Sequence, residues 1–345
     1  MRCTYYRLKS ILFFCMVIAC SAHAVAVDAI IPNKEPTNPI VLSANYSEKL
    51  PNEVLFGVYL ISLHSFDFKQ DSFNFSCYAW WKTTNKNYKP TDTVEIANAL
   101  TSNIRYSPPD QEADYYLSQA RYYGQIHQAW DITHFPFDHQ ILTIAFEDFA
   151  LDKSSLIFKP DLLQSNTPKN FTIPGWDILN FKVSVSDFVY DSSFGDASIE
   201  ANKYSRLIVT IDIKRHGWRL FFTYYVGFIL SAFLCAITMF IDIDDAEEMA
   251  SKLSLVTGAI FATVGNKYIL DNSLPASDGL TLSDIMQITS FGLVLITVII
   301  ALACHDLYLW KKKNLARWIY NLLCSTSLIA YIVIVVKYLQ LAINS

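Results

Sequence analysis

The stretch MASKLSLVTGAIFATVGNKYILDNSLP, Met249 to Pro275, decides how this chain is read. It is apolar from Leu253 to Gly265, yet it carries Ser254, Thr257, Thr263, Asn266 and Lys267. Acids precede it (Asp242, Asp244, Asp245, Glu247, Glu248), and the turn Asp271–Pro275 closes it. Strongly apolar, uncharged runs flank it, Leu220–Ile241 before and Ile285–Cys304 after. Polar groups in hydrocarbon are costly unless they face protein or a water-filled cavity. A helix lodged between two such runs and too polar for lipid is therefore expected to line water.

Charge parity bears on the same stretch. Leu220–Ile241, Ile285–Cys304 and Trp318–Val336 are each long enough to span a bilayer. Between the last two lie Lys311, Lys312, Lys313 and Arg317, a basic cluster that belongs on the cytoplasmic side. At the other end Arg2, Arg7 and Lys9 precede an apolar run, Ile11–Cys20, and then Ala22-His23-Ala24. That pattern reads as a secretory signal cleaved after Ala24, with a short first membrane helix as the alternative. Val17–Cys20 also fits a lipoprotein cleavage box. From an exported start, the basic cluster reaches the cytoplasm only if Met249–Ile269 crosses as well. The expected layout is a signal peptide at 1–24, an exported domain at 25–216 and a membrane domain at 217–345. Its spans are expected at about 219–241, 249–269, 282–306 and 315–341.

Outside these runs the period changes to two. Phe73, Phe75, Cys77, Ala79 and Trp81 alternate with Asn74, Ser76, Tyr78 and Trp80. Phe181, Val183 and Val185 alternate with Lys182, Ser184 and Ser186, and Leu207, Val209, Ile211 and Ile213 continue the theme. Such alternation between turn clusters predicts an antiparallel β-sandwich. The fold expected from the whole sequence is thus an extracellular antiparallel β-sandwich followed by a four-helix transmembrane bundle. Of seven cysteines only Cys77 lies in the exported segment outside the leader, so no disulfide within that domain is expected. A net charge of −5 gives no footprint for nucleic acid. Neither G-x-S-x-G nor H-E-x-x-H occurs, and no enzyme activity is expected.

Between two strands of the sandwich runs Trp130-Asp131-Ile132-Thr133-His134-Phe135-Pro136-Phe137-Asp138-His139-Gln140. With its Phe-Pro-Phe-Asp-x-Gln signature and the helical tail, the chain resembles the pentameric ligand-gated ion channels, or Cys-loop receptors, over residues 40–341. Eukaryotic members carry a cysteine on either side of this loop, where Gln128 and Leu142 stand here; the bacterial branch lacks that disulfide. The short linker Leu307–Leu315 is also like the bacterial branch. The proline usual in the first span is missing, and Gly227 is the only helix-weakening residue near its middle.

The resemblance implies a homopentamer in a bacterial inner membrane, ligand sites at subunit interfaces, and second helices ringing a pore. It implies coupling through Phe135, Pro136, Phe137 and Asp138, with Arg215 the cation for Asp138 to pair with. Counting back from Pro275 as the family places it puts Ser254, Gly258, Phe261 and Gly265 on the pore face. A register shifted by one puts Leu253, Thr257, Ile260 and Val264 there instead. A ring of Phe261 or Ile260 can close a pore by dewetting. Glu247 and Glu248 at the cytoplasmic mouth would favour cations, while Lys252 argues the other way unless its stem leaves the axis. Lys267 is expected to pair with Asp271 or Asp284.

By position after the signature, Phe149 matches an aromatic of the family's ligand box, and Tyr190 and Tyr204 flank the capping turn. Aromatic faces attract organic cations, which makes an amine one candidate agonist. Glu147, Asp148, Asp187 and Asp191 make protons or Ca²⁺ the others. No resident cofactor is expected beyond Ca²⁺ as a modulator. The expected function is a ligand-gated, cation-selective channel. The competing class is a membrane-tethered binding or sensor protein that does not conduct.

Overall fold

Val54, Phe56, Val58 and Leu60 bury one face of β1 (Asn52–Asp67), while Leu55 and Tyr59 between them are partly exposed, and the same rule builds the other strands. The computed structural model describes residues 52–112, 114–192, 194, 202–242, 246–277, 279–309 and 313–344. After β1 come β2 (Ser72–Thr83), a one-turn helix α1 (Pro90–Thr93), β3 (Val94–Ile96), β4 (Ala99–Tyr106) and β5 (Asp110–Gln111). Then follow β6 (Tyr116–His127), β7 (His139–Asp148), β8 (Leu156–Pro160), β9 (Trp176–Tyr190) and β10 (Asn202–Arg215). One sheet has the order β4-β6-β2-β1-β8, with β5 on β6; the other has the order β3-β7-β10-β9. Phe56 joins them, its ring 4.9 Å from Trp81, 5.0 Å from Phe158 and 5.3 Å from Phe146 of the opposite sheet. Leu207, Val209, Ile211 and Ile213 of β10 are fully buried behind this cluster.

Two expectations are corrected. The sandwich is not antiparallel throughout: Asn52–Phe56 of β1 runs parallel to Leu156–Pro160 of β8, so the larger sheet is mixed. Period-two patterning reports which face of a strand is buried and is blind to its direction.

The second correction concerns the membrane part, where four continuous spans were expected. Three helices are long and apolar enough to cross a membrane: α4 (Ala246–Ser273), α5 (Leu282–Leu309) and α6 (Lys313–Asn344). The residues of the expected first span form α2 (Gly217–Tyr224) and α3 (Val226–Ile237), which meet at 54° and pass that test only as a pair. At Tyr225 the backbone leaves the helical region (φ −113°, ψ 3°). Freed backbone groups beside the break are taken up by one side chain, Asn266 of α4. Its amide nitrogen donates to the Tyr224 carbonyl (2.6 Å), and its oxygen accepts from the Gly227 N–H (2.9 Å). Gly227 is required for this approach, since a Cβ there would lie 2.5 Å from the Asn266 Cβ. A kink without proline follows from a polar side chain inserted into the hydrogen-bond ladder.

One hydrophobic core runs from the sandwich into the tops of these helices and includes Phe135, Phe137, Phe221, Tyr225, Leu274, Leu282 and Met286. The expected signal peptide at 1–24, Asp244, Asp245, Lys311 and Lys312 lie outside the described residues.

Candidate functional site

Three places collect the residues singled out by sequence. The first is the junction. The loop between β6 and β7 carries Phe135, Pro136, Phe137 and Asp138 onto α2 and α5, and its Phe135–Pro136 peptide is cis. Phe137 packs edge-on to Trp218 at 5.2 Å, Phe135 packs on Tyr224 at 5.6 Å, and the Tyr225 hydroxyl donates to the Phe135 carbonyl at 2.6 Å. Gly217 lies against the Pro136 carbonyl so closely that a Cβ would meet it at 2.3 Å. The Leu282 N–H at the start of α5 donates to the Thr133 carbonyl at 2.9 Å.

Asp138 holds this loop to the end of β10. It accepts from Arg215 Nε at 2.7 Å and Nη2 at 3.1 Å, a bidentate pair, and from Gln140 Nε2 at 2.7 Å. The same Gln140 nitrogen donates to the Asp131 carbonyl at 2.7 Å, and its oxygen accepts from the Asp131 N–H at 3.3 Å. Gln140 thus braces the two arms of a loop that has no disulfide across it. The Arg215 guanidinium is stacked among Trp176, Phe68 and Phe135, with ring centres at 4.0, 4.4 and 5.2 Å. Hydrogen bonds from the Thr133 side chain and backbone hold the neighbouring Asp131 carboxyl below its ordinary range. Beneath the loop, Lys267 bridges Asp271 at 2.8 Å and Asp284 at 2.7 Å, and Asp284 also caps α5 with Thr281.

The second place is α4. Met249, Lys252, Val256, Ala259, Thr263, Asn266 and Leu270 are buried against the other helices at alternating steps of three and four. Ser254, Thr257, Phe261, Gly265 and Tyr268 stand on the opposite, exposed side, with Gly258 half-buried. Both expected registers fall on this side; Phe261 is 73% exposed and Ile260 39%. Leu253 and Val264 are exposed beside them. Lys252 is on the packed side, so it adds no charge to the open face. Its ammonium donates to the Thr238 carbonyl at 2.7 Å and lies 3.7 Å from the Tyr320 ring centre. Glu247 and Glu248 are in the first turn of α4, where the helix dipole favours acids.

The third place is the outer face of the smaller sheet, toward the end of the β9–β10 hairpin. Tyr190 is ringed by Phe188 (4.8 Å), Phe194 (5.1 Å) and Tyr204 (5.5 Å). Phe149 is exposed and makes none of these ring contacts. Sequence reading missed the centre of the group, Arg206. Its Nε donates to Glu147 at 2.5 Å, its Nη2 to the Tyr190 oxygen at 2.7 Å, and the Tyr190 hydroxyl donates to Glu147 at 2.7 Å. Its guanidinium lies 3.4 Å from the Phe188 ring centre and 5.5 Å from that of Tyr190. Burial, then the Glu147 carboxylate, pushes the Tyr190 phenol above its ordinary range.

The four acids named for Ca²⁺ are not brought together. Glu147 is engaged by Arg206 and Tyr190. Asp148 accepts from Tyr88, Thr93 and the backbone of Ala150 and Leu151. Asp187 pairs with Lys153 and Lys203, which lower its carboxyl below the ordinary range, and Asp191 is exposed. Among the described residues no group of three or more His, Cys, Asp or Glu is placed to share a metal ion. Each acid has gone to a protein partner of its own, or to solvent.

Compared with protein-family models and with curated proteins, the chain finds no match.

Proposed function

We propose that this chain is a subunit of a ligand-gated ion channel of the pentameric type it resembles. The segment 25–216, which carries the sandwich, is exported, the segment 217–345 lies in a bacterial inner membrane, and five copies place α4 around a cation-selective pore. The observation that carries this reading is the two-sidedness of α4. One side is packed within the chain, while the other presents Ser254, Thr257, Phe261 and Gly265 with no partner element among the described residues. In a helix apolar enough to cross a membrane, the polar residues of that side, Ser254 and Thr257, are better served by water or further copies than by lipid. The seating of the Phe135–Asp138 loop on α2 and α5 supports the coupling role, since a shift in the sandwich acts directly on helices beside α4.

The test is reconstitution of the full chain in planar bilayers, with steps of pH and Ca²⁺ and a salt gradient. Currents that reverse toward the cation potential are expected. Phe261→Ala is expected to raise the resting conductance severalfold, because it removes the largest apolar group on the open side. Neutralising Glu247 and Glu248 together is expected to move the reversal potential toward that of chloride. Assemblies of verified pentamers that pass no current under any of these conditions would overturn this reading in favour of a tethered sensor.

A further inference from the structure

We infer that Arg206 is a built-in occupant of the aromatic site: it fills the seat an organic ammonium ion would take and sets the site against that class of ligand. The inference rests on reading the Tyr190–Tyr204 face as the ligand site. An ammonium ion is held by two things together, the negative faces of aromatic rings and a nearby counter-charge. Both are present here, and both are engaged. The face of Phe188 is covered by the guanidinium at 3.4 Å, and the counter-charge, Glu147, is taken by Arg206 Nε and the Tyr190 hydroxyl.

The strands fix this arrangement. On β10, Tyr204 and Arg206 are two residues apart and so share a face, while Leu207 and Val209 point into the core. Glu147 of β7 pairs directly with Arg206, and Tyr204 pairs with Phe188 of β9. A β-sheet places these side chains side by side without a loop rearrangement. A free ammonium ion must therefore displace a cation that is covalently tethered and always present at high effective concentration. It must also leave that guanidinium without its carboxylate.

Emptying the seat reverses the preference. Arg206→Met removes the guanidinium and leaves the rings of Phe188, Tyr190 and Tyr204 with the Glu147 carboxylate behind them. Calorimetric titration of the purified full chain with tetramethylammonium reads this directly and requires no current. Affinity is expected to rise by about 10- to 100-fold over the unsubstituted chain, the size of a cation–π contact with its counter-charge. Adding Glu147→Gln to Arg206→Met is expected to abolish the gain. Arg206→Gln keeps a hydrogen-bond donor for Glu147 but no charge, and it carries the test if the methionine variant fails to fold. Arg206→Lys retains a cation and is expected to bind no better than the parent. Equal tetramethylammonium affinity in the parent and in the neutral variants overturns the inference, and does so whether or not the chain conducts. A chain that fails to conduct but shows the predicted gain would leave the inference standing and the channel reading fallen.

Discussion

Arg215 and Arg206 each lie on aromatic faces and each pair with a buried carboxylate, and what surrounds them differs. Arg215 and its partner Asp138 have side chains 8% and 2% exposed; Arg206 and Glu147 have 13% and 3%. Burial is similar, but the settings are not. Arg215 is closed in by Trp176, Phe68 and Phe135 where the sandwich meets the helices, and its carboxylate takes a third hydrogen bond from Gln140. Arg206 lies on an outer sheet face over Phe188, which is exposed, and Tyr190. The same chemical pair thus joins two parts of the molecule in one case and lies on an outer sheet face in the other. A charge pair takes its role from what encloses it.

The comparison can be broken by experiment, most strongly at the junction. Arg215→Ala leaves Asp138 buried without its cation, and thermal unfolding of the full chain is expected to show a loss of about 3–5 kcal/mol. If the loss is under about 1 kcal/mol, the typical value of a surface pair, the junction pair does not hold the two parts together. Next comes Asn266→Ala, which strips the Tyr224 carbonyl and Gly227 N–H of their shared partner. A loss of about 2–3 kcal/mol is expected from the two buried groups left unpaired. Fast amide exchange confined to α2 and α3 would locate the effect at the bend. Arg206→Ala is expected to cost less, about 1–2 kcal/mol, because water can enter from the open face and solvate Glu147. A cost equal to that of Arg215→Ala would erase the distinction drawn between them.

The smallest effect belongs to Asp187, exposed between Lys153 and Lys203. Its carboxyl is held low by these two lysines, so its contribution to stability is complete above the ordinary carboxylate value near 4 and is lost as pH falls through the lower folded value. Asp187→Asn should therefore unfold slightly earlier than the parent at neutral pH, and the two melting curves should converge in acid. Curves that stay apart below that range would mean that Asp187 acts by something other than its charge.

Much of the sandwich was legible because burial on one face of a strand imposes a period of two. Phe73–Trp81 and Leu207–Ile213 show it over whole strands. Strand direction was not legible, because the parallel pairing of β1 with β8 joins segments far apart in sequence and leaves no mark on either pattern. The bend at Tyr225 escaped for a similar reason. Its cause, Asn266, lies in another helix, and neither residue breaks a helix on its own. On the outer face of the smaller sheet, Tyr190 and Tyr204 were found as aromatics beside a turn, but Arg206 and Phe188 were not. A signal existed: an arginine on the outward phase of β10, two residues from Tyr204, shares a strand face with that ring. For Lys252 the sequence left two readings open, a charge at the mouth or a stem turned off the axis, and the four-carbon stem reaches a carbonyl and a ring inside the helix pack.

The parallel edge has a consequence for how the chain is made. β1 is the first described strand to be synthesised, and β2 can close one of its edges within a few residues of a turn. Its other edge waits for Leu156–Pro160, about 100 residues later. At roughly 5–20 residues per second, that edge stays open for about 5 to 20 s of synthesis. During that interval Val54, Phe56 and Val58 belong to an unpaired apolar border, the kind of surface that seeks another strand to pair with. The time at which β8 arrives, rather than the strength of the finished core, sets how long each nascent chain is exposed to its neighbours.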